Sequence, residues 1–599
     1  MRQSLQMHEA RQMHKTPWKS GASAPRNSPK ANRALARVVV PSGGFCMAIV
    51  LSMLVLYMPE AQSFAASQTA TVPSGYRIAG TVVSKADARP LARSRITVRD
   101  ANDPKKFFSI VTAEDGKFEF TGLPAGKYSL TGARRGFISA SYDQHDQYST
   151  AIVTGAGLDT ETLVLRLAPD AVITGKVLDE FGEPVRHAAV QLYFDDHSRG
   201  VDQIRQSRSG QTDDLGEYEF TPLRPGTYFL SVNSTPWYAV HPPSNRSGSQ
   251  GSESSTGQQT EAPAEIDRSL DVAYPITYYP DAREADDAMP IPIRGGERVE
   301  ADFHLNPVPS LRLRFRTAED GKHGYSFPQL EQPTFDGSTT FIQGSGGNVV
   351  APGVMEITGI PAGRYNVRLR GGTVSQMNGV DLEKDGEEID ASKSDAVSSV
   401  KFSVQIPGEP TLPEHLTIGL RSGNRMVGAS QAVDSKGEAE LQQVTVGKYE
   451  VVVWGGGKPY SISHISAEGA ELKAHTLNLA AGSAASVSLT LVGGSVEVQG
   501  TAKNAGKAVA GAMVVLVPQS PATDHDLFRR DQSDLDGTFG LHNVVPGSYT
   551  LLAIENGWDL DWSQPGVIGA YLKRGRKIQV DNQAGRPMNV AEAIEVQSK

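Results

Sequence analysis

A segment of one shape returns five times along the chain: EDGKFEFTGLPAGKYSL ending at Leu130, DLGEYEFTPLRPGTYFL at Leu230, GVMEITGIPAGRYNV at Val367, SKGEAELQQVTVGKYEV at Val451 and LDGTFGLHNVVPGSYTL at Leu551. In Lys117-Phe118-Glu119-Phe120 and Lys127-Tyr128-Ser129-Leu130 apolar and polar residues alternate, the period of a strand with one buried and one wet face. Between them Pro124 suits the second position of a type I turn and Gly126 the fourth. Each copy therefore reads as a hairpin arm, with Asp115-Gly116 marking the turn that feeds it. Gly126 and Tyr128, Gly226 and Tyr228, Gly363 and Tyr365, Gly447 and Tyr449, and Gly547 and Tyr549 hold equivalent places. These tyrosines read as structural, the ring in a core and the hydroxyl bonded near the strand edge.

Upstream of three copies stands a matching strand, turn and strand: YRIAGTVVSKADARPLARSRITVRD from Tyr76, AVITGKVLDEFGEPVRHAAVQLYF from Ala171 and GSVEVQGTAKNAGKAVAGAMVVLV from Gly494. Short strands at regular spacing with glycine and proline punctuation, about 100 residues to the unit, point to β-sandwiches. The second unit carries Gly175, Gly182, Pro184, Val185, Ala188, Val190 and Leu192, then Asp213, Gly216, Tyr218, Phe220, Leu223, Pro225, Gly226 and Tyr228. With these residues the chain resembles the carboxypeptidase regulatory-like domain. The resemblance implies a transthyretin-like, seven-strand antiparallel sandwich, grouped with carbohydrate-binding-like folds and found as an accessory module beside a peptidase. The first and fifth units resemble it well. The third lacks the opening motif, and the fourth has Ala439 for the usual aromatic and Thr445 for the proline.

The expectation is an all-β chain: a tandem array of about five antiparallel, Ig-like or transthyretin-like sandwiches after an N-terminal signal segment. The boundaries expected are 1–65 for the signal peptide with its long basic leader, 73–168 for sandwich 1, and 169–307 for sandwich 2 with a disordered loop at 241–266. Degenerate sandwiches 3 and 4 follow at 308–406 and 407–493, and sandwich 5 at 494–599.

Eight basic residues from Arg2 to Arg37 precede the apolar run Phe45–Met58, and Ser63 and Ala65 suit a signal peptidase cutting after Ala65. An uncleaved anchor in the inner membrane is the alternative, although Pro41, Ser42, Gly43 and Gly44 interrupt the run and its clean part is shorter than the ~20 residues of a span. The expected location is the periplasm, the outer surface or the medium, with no membrane span in the mature chain. Cys46, the single cysteine, lies in this run, so the mature chain would hold no disulfide or thiolate metal site. Loss of residues 1–65 leaves 50 basic against 65 acidic side chains, a net charge of −15. Such a surface repels phosphate backbones, and nucleic acid is not an expected partner.

Motifs that carry chemistry are missing. None of the thirteen histidines stands in an H-x-x-E, H-E-x-x-H or H-x-H arrangement, and neither a nucleophile elbow nor a phosphate loop occurs. Asp534, Asp536 and Gly537 imitate the middle of a calcium loop, but Gln532 and Asn543 occupy the places of its first and closing ligands, so a turn is the reading preferred. Solitary His304 reads as a surface side chain. The chain is expected to be no enzyme, with no catalytic residue, metal or cofactor.

Aromatics outside the repeat are the candidates for binding. Trp237-Tyr238 leads out of the second hairpin, Tyr278-Tyr279-Pro280 is expected in a loop ahead of a returning strand Val299–Leu305, and Trp558 and Trp562 are expected on an exposed loop. Tyr278, Tyr279, Trp558 and Trp562 are therefore the candidate ligand-binding residues, flat rings able to stack on sugars. The function expected is recognition of a polysaccharide or glycan, or of another envelope protein, by an exported array. A structural spacer or adhesion stalk is the alternative, and an accessory chain of a peptidase or other hydrolase a third.

Overall fold

The computed structural model describes residues 75–599 apart from 156, 243–266, 317–326, 336–338, 343–344, 352, 371–374, 391–396, 409–410, 423–424, 456–459, 474, 494–495, 523 and 582–585. The signal segment, Cys46 and nearly all of the expected loop 241–266 lie outside the described residues.

In the first sandwich the repeat's first arm, Lys117–Leu123, buries Phe118, Phe120 and Leu123 and exposes the residues between them. It pairs with the opening strand Tyr76–Ser84, which pairs in turn with Leu163–Leu167. The facing sheet runs Phe107–Val111, Arg95–Asp100, Gly126–Ala133 and Ala140–Ser141, with Ile152–Thr154 also on the hairpin's second arm. Ile78, Val82, Ile96, Val98, Leu130 and Leu165 fill the space between the two layers. The next three units repeat this arrangement, each around its own apolar core. In the fifth, the last strand, Ile594–Ser598, pairs with both Val496–Asn504 and Gly547–Glu555 and so ties the two layers together.

Each hairpin ladder is antiparallel, but every sandwich is closed by a parallel seam between its opening strand and a late one. The partners include Gly80 with Leu163, Ile173 with Val299, Leu313 with Glu387, Val400 with Ala485, and Val498 with Met588. This seam explains the glycine of the opening motif. A Cβ on Gly80 would stand 2.1 Å from Leu163 O, and one on Gly175 2.0 Å from Ala301 O. Across the ladder from these glycines lie Phe118 and Tyr218, and Gly500 faces Phe539 in the same way. In the fourth sandwich the pair is exchanged between strands: Phe402 faces Ala439, and the ring comes from the opening strand. The aromatic missing from the repeat is thus supplied by its neighbour.

One expected boundary is corrected. Ser398–Gln405, placed by sequence at the end of the third unit, is the opening strand of the fourth, paired with Glu438–Val444 and Ala484–Gly493. Its alternation marks it as a strand but does not say which sheet it joins, and the opening motif that would have assigned it is missing.

Residues 72–599 form one compact unit. The fifth sandwich returns to pack on the first and second, so the order in space is not the order in sequence.

Candidate functional site

The five repeat tyrosines make one bond in common. Each hydroxyl donates to the carbonyl four residues earlier: Tyr128 to Pro124 (3.0 Å), Tyr228 to Arg224 (2.8 Å), Tyr365 to Pro361 (2.6 Å), Tyr449 to Thr445 (2.8 Å) and Tyr549 to Val545 (2.8 Å). Gly126, Gly226, Gly363, Gly447 and Gly547 begin the strands that carry them. Burial raises the Tyr365 phenol above its ordinary value, as it does for Tyr128, Tyr228 and Tyr449. The turn glycine ahead of each arm has a left-handed backbone, for example Gly216 at φ 74° and Gly537 at φ 79°, where a side chain would be strained.

The four aromatics expected on exposed loops are packed instead. Tyr278 is 1% exposed in the short strand Thr277–Tyr278, between Tyr193 and Phe335, where the second and third sandwiches meet. Tyr279 is half-buried, edge-on to Phe303. Trp562 is 8% exposed, and Trp558 donates Nε1–H to Gly511 O (3.1 Å) while lying on His145 of the first sandwich. A polar flank makes a loop look wet, but the loop of Trp558 and Trp562 covers the apolar outer face formed by Met513, Val515, Leu552 and Ile554, and Tyr278 is enclosed with Tyr193, Ile276 and Phe335.

Arg530 is the centre of that junction. Its guanidinium lies 4.3 Å from the Trp562 ring centroid, 5.3 Å from that of Tyr148 and 5.7 Å from that of Trp558. It donates to Ser198 O of the second sandwich (2.9 Å) and pairs with Asp146 of the first (3.3 Å). Alongside, Lys127 Nζ meets Asp534 (2.6 Å), Asp534 accepts from Ala151 N (2.9 Å), Gln532 donates to Asp143 O (2.5 Å) and to Thr150 Oγ1 (2.8 Å), and His197 reaches Leu560 O (2.8 Å). Burial raises the Asp534 carboxyl even with Lys127 beside it. Asp536 accepts from Thr538 N (3.0 Å), so the calcium-like run serves as turn and inter-sandwich latch. Among the described residues no group of three or more histidine, cysteine or carboxylate side chains is arranged to hold a metal. His304 is exposed at the end of its strand.

Trp237, at the exit of the second hairpin, does stand free. Trp237 is 83% exposed, edge-on to Tyr238 at 5.9 Å and 88°. It borders a cleft of about 460 Å³ in the second sandwich, lined also by Glu183, Pro184, Arg186, Thr235 and Tyr274. The walls are held firmly. Asp179 accepts from Phe181 N (2.9 Å) and Glu183 N (2.8 Å), and Glu180 accepts from the hydroxyls of both Tyr238 and Tyr274. Burial, with Glu180 next, pushes the Tyr238 phenol up to about 12 and raises that of Tyr274 further, so both act as donors at neutral pH. The arrangement offers a flat ring, a carboxylate and a guanidinium on one rigid rim. Sequence brought out Trp237 but could not rank it, because its exposure depends on where the chain goes after the second hairpin.

The pattern of the opening strand, the hairpin and the parallel closing strand decides the first unit. Residues 77–164 match the family model of the carboxypeptidase regulatory-like domain. The matched sandwich contributes His145, Asp146 and Tyr148 to the junction. No curated protein matches the chain. Solved structures similar to it include the Bacillus anthracis TIE protein, at 11% identity over 71% of this chain and 76% of that one, with a TM-score of 0.16. A streptococcal ancillary pilin is 13% identical over 53% and 98% (TM-score 0.19). Two B repeat units of the collagen binding protein of Staphylococcus aureus are 12% identical over 70% and 99% (TM-score 0.12). Among the described residues no helix is long and apolar enough to cross a membrane.

Proposed function

We propose that the chain is an exported, non-catalytic β-sandwich protein of the cell envelope that recognises glycans through the Trp237 cleft. The observation that carries this reading is an 83% exposed tryptophan set on a rigid rim beside Glu183 and Arg186. Sugar rings present apolar C–H faces that stack on indole, and their hydroxyls accept hydrogen bonds from a guanidinium and donate them to a carboxylate. Stacking without a deep pocket fits a polymer passing across the surface, which needs no enclosed cavity. The export assignment rests on the basic leader and apolar run of residues 1–65. The buried Arg530 junction supports a held scaffold under the cleft, in place of sandwiches swinging on linkers.

Residues 72–599 should bind at least one member of a panel of soluble and insoluble polysaccharides. Trp237→Ala should weaken that binding about tenfold or more, the loss of about 1.4 kcal/mol of stacking. Trp454→Ala, a change at a 41% exposed tryptophan of the fourth sandwich, should leave it unaltered. A blank panel, or binding indifferent to Trp237, would remove the proposal and favour a structural or protein-contacting role.

A further inference from the structure

The first sandwich ends one of its sheets with the strand Phe107–Val111, which pairs with Arg95–Asp100 on one side and with no described strand on the other. Open strand edges are ordinarily guarded by charge, proline or cover. This one carries FFSIV, with Phe107 54%, Phe108 56% and Val111 66% exposed. The corresponding strand of the second sandwich, Gln203–Gln211, is guarded by Arg205 and Arg208. That of the fifth, Arg529–Gln532, is covered, with Arg530 and Gln532 buried against its neighbours. The same edge is thus already used once in this molecule to dock one sandwich on another.

Backbone direction fixes which groups are free. Asp100 N donates to Lys106 O, and Thr112 N donates to Ser94 O. By the alternation of an antiparallel ladder, the backbone groups of 106, 108, 110 and 112 therefore face Arg95–Asp100, and those of Phe107, Ser109 and Val111 face outward.

We propose that Phe107–Val111 is a homodimer interface, in which two copies of the chain pair this strand with itself, antiparallel, about a two-fold axis at Ser109. That register sets Phe107 opposite Val111 of the second copy, Ser109 opposite Ser109 and Phe108 opposite Ile110. It joins the three outward-facing residues of each edge and makes aromatic to β-branched cross-strand pairs. A two-fold contact of this kind is self-complementary and closes at two chains. Charge agrees with a second copy as the occupant. Lys105-Lys106 precede the strand and Glu114-Asp115 follow it, so antiparallel pairing brings each basic end to the acidic end of the other copy.

Analytical ultracentrifugation of residues 72–599 tests this. The chain should show a concentration-dependent monomer–dimer equilibrium, and Phe107→Lys with Val111→Lys should weaken it at least tenfold without lowering the melting temperature. Residues 72–599 contain no cysteine, so Ser109→Cys supplies a single thiol and should oxidise to a disulfide-linked dimer. Ser141→Cys, on the opposite edge of the same sheet, should not. A monomer at every concentration, a dimer indifferent to the double lysine change, or equal cross-linking through position 141 would each overturn the proposal.

Discussion

His145 of the first sandwich lies flat on Trp558 of the fifth, with ring centroids 4.9 Å apart and planes 5° from parallel. The residues are joined by the same junction that buries Arg530, whose side chain is 4% exposed. Arg530→Ala should destabilise the junction by about 3–5 kcal/mol, because Asp146 and Ser198 O lose their partner. Arg530→Lys should recover only part, since an ammonium does not stack as guanidinium does. Calorimetry reads the outcome as a melting transition for the fifth sandwich that moves down and separates from the first. An unchanged profile would mean that the junction contributes little.

The junction also predicts a pH dependence. Burial raises the Asp531 carboxyl to about 6; the backbone N–H groups of Gly540 and Gln532 and His542 pull it down, and Asp534 pushes it up. Between the unfolded value near 4 and this folded value, the native state binds more protons than the unfolded chain. Stability from this group therefore falls as pH rises through that window. Asp531→Asn, with its amide oxygen still able to accept from Gly540 N, should stabilise the protein above pH ~6 by up to about 3 kcal/mol. It should change little near pH ~4. Denaturant unfolding of both forms at the two pH values decides it, and an equal gain at both would refute the assignment.

Tyr365 is 0% exposed and its hydroxyl donates to Pro361 O. Tyr365→Phe leaves that carbonyl short of a donor and should cost about 1 kcal/mol. Hydrogen exchange should show the loss in the third sandwich, with the fourth and fifth unaffected.

Phe402 and Ala439 face one another across the ladder of the fourth sandwich. Phe402→Ala should open a cavity costing about 3–5 kcal/mol. Ala439→Phe alone should overpack by about 1–3 kcal/mol. Made together they restore the arrangement of the first and fifth units, and the double variant should be more stable than the sum of the single losses by at least about 1 kcal/mol. Additive losses in equilibrium unfolding would show that the exchange is not the compensation inferred here.

Alternation, turn glycines and the recurring tyrosine are local in sequence, and from them the chain by itself determined five hairpins, the sandwich class and the place of each repeat tyrosine. The exposure of an aromatic is not local. Trp558 and Trp562 sit in a polar stretch, yet they are covered because the first and second sandwiches arrive over them. Lys127 and Asp534, 407 residues apart, form an ion pair that no spacing rule announces. The same holds for Ser398–Gln405, whose pattern says strand while only its partners say which sandwich. Tertiary structure alone decided that Trp237 was left in solvent while Trp558 and Trp562 were covered, because side-chain burial is set by which surfaces meet in space.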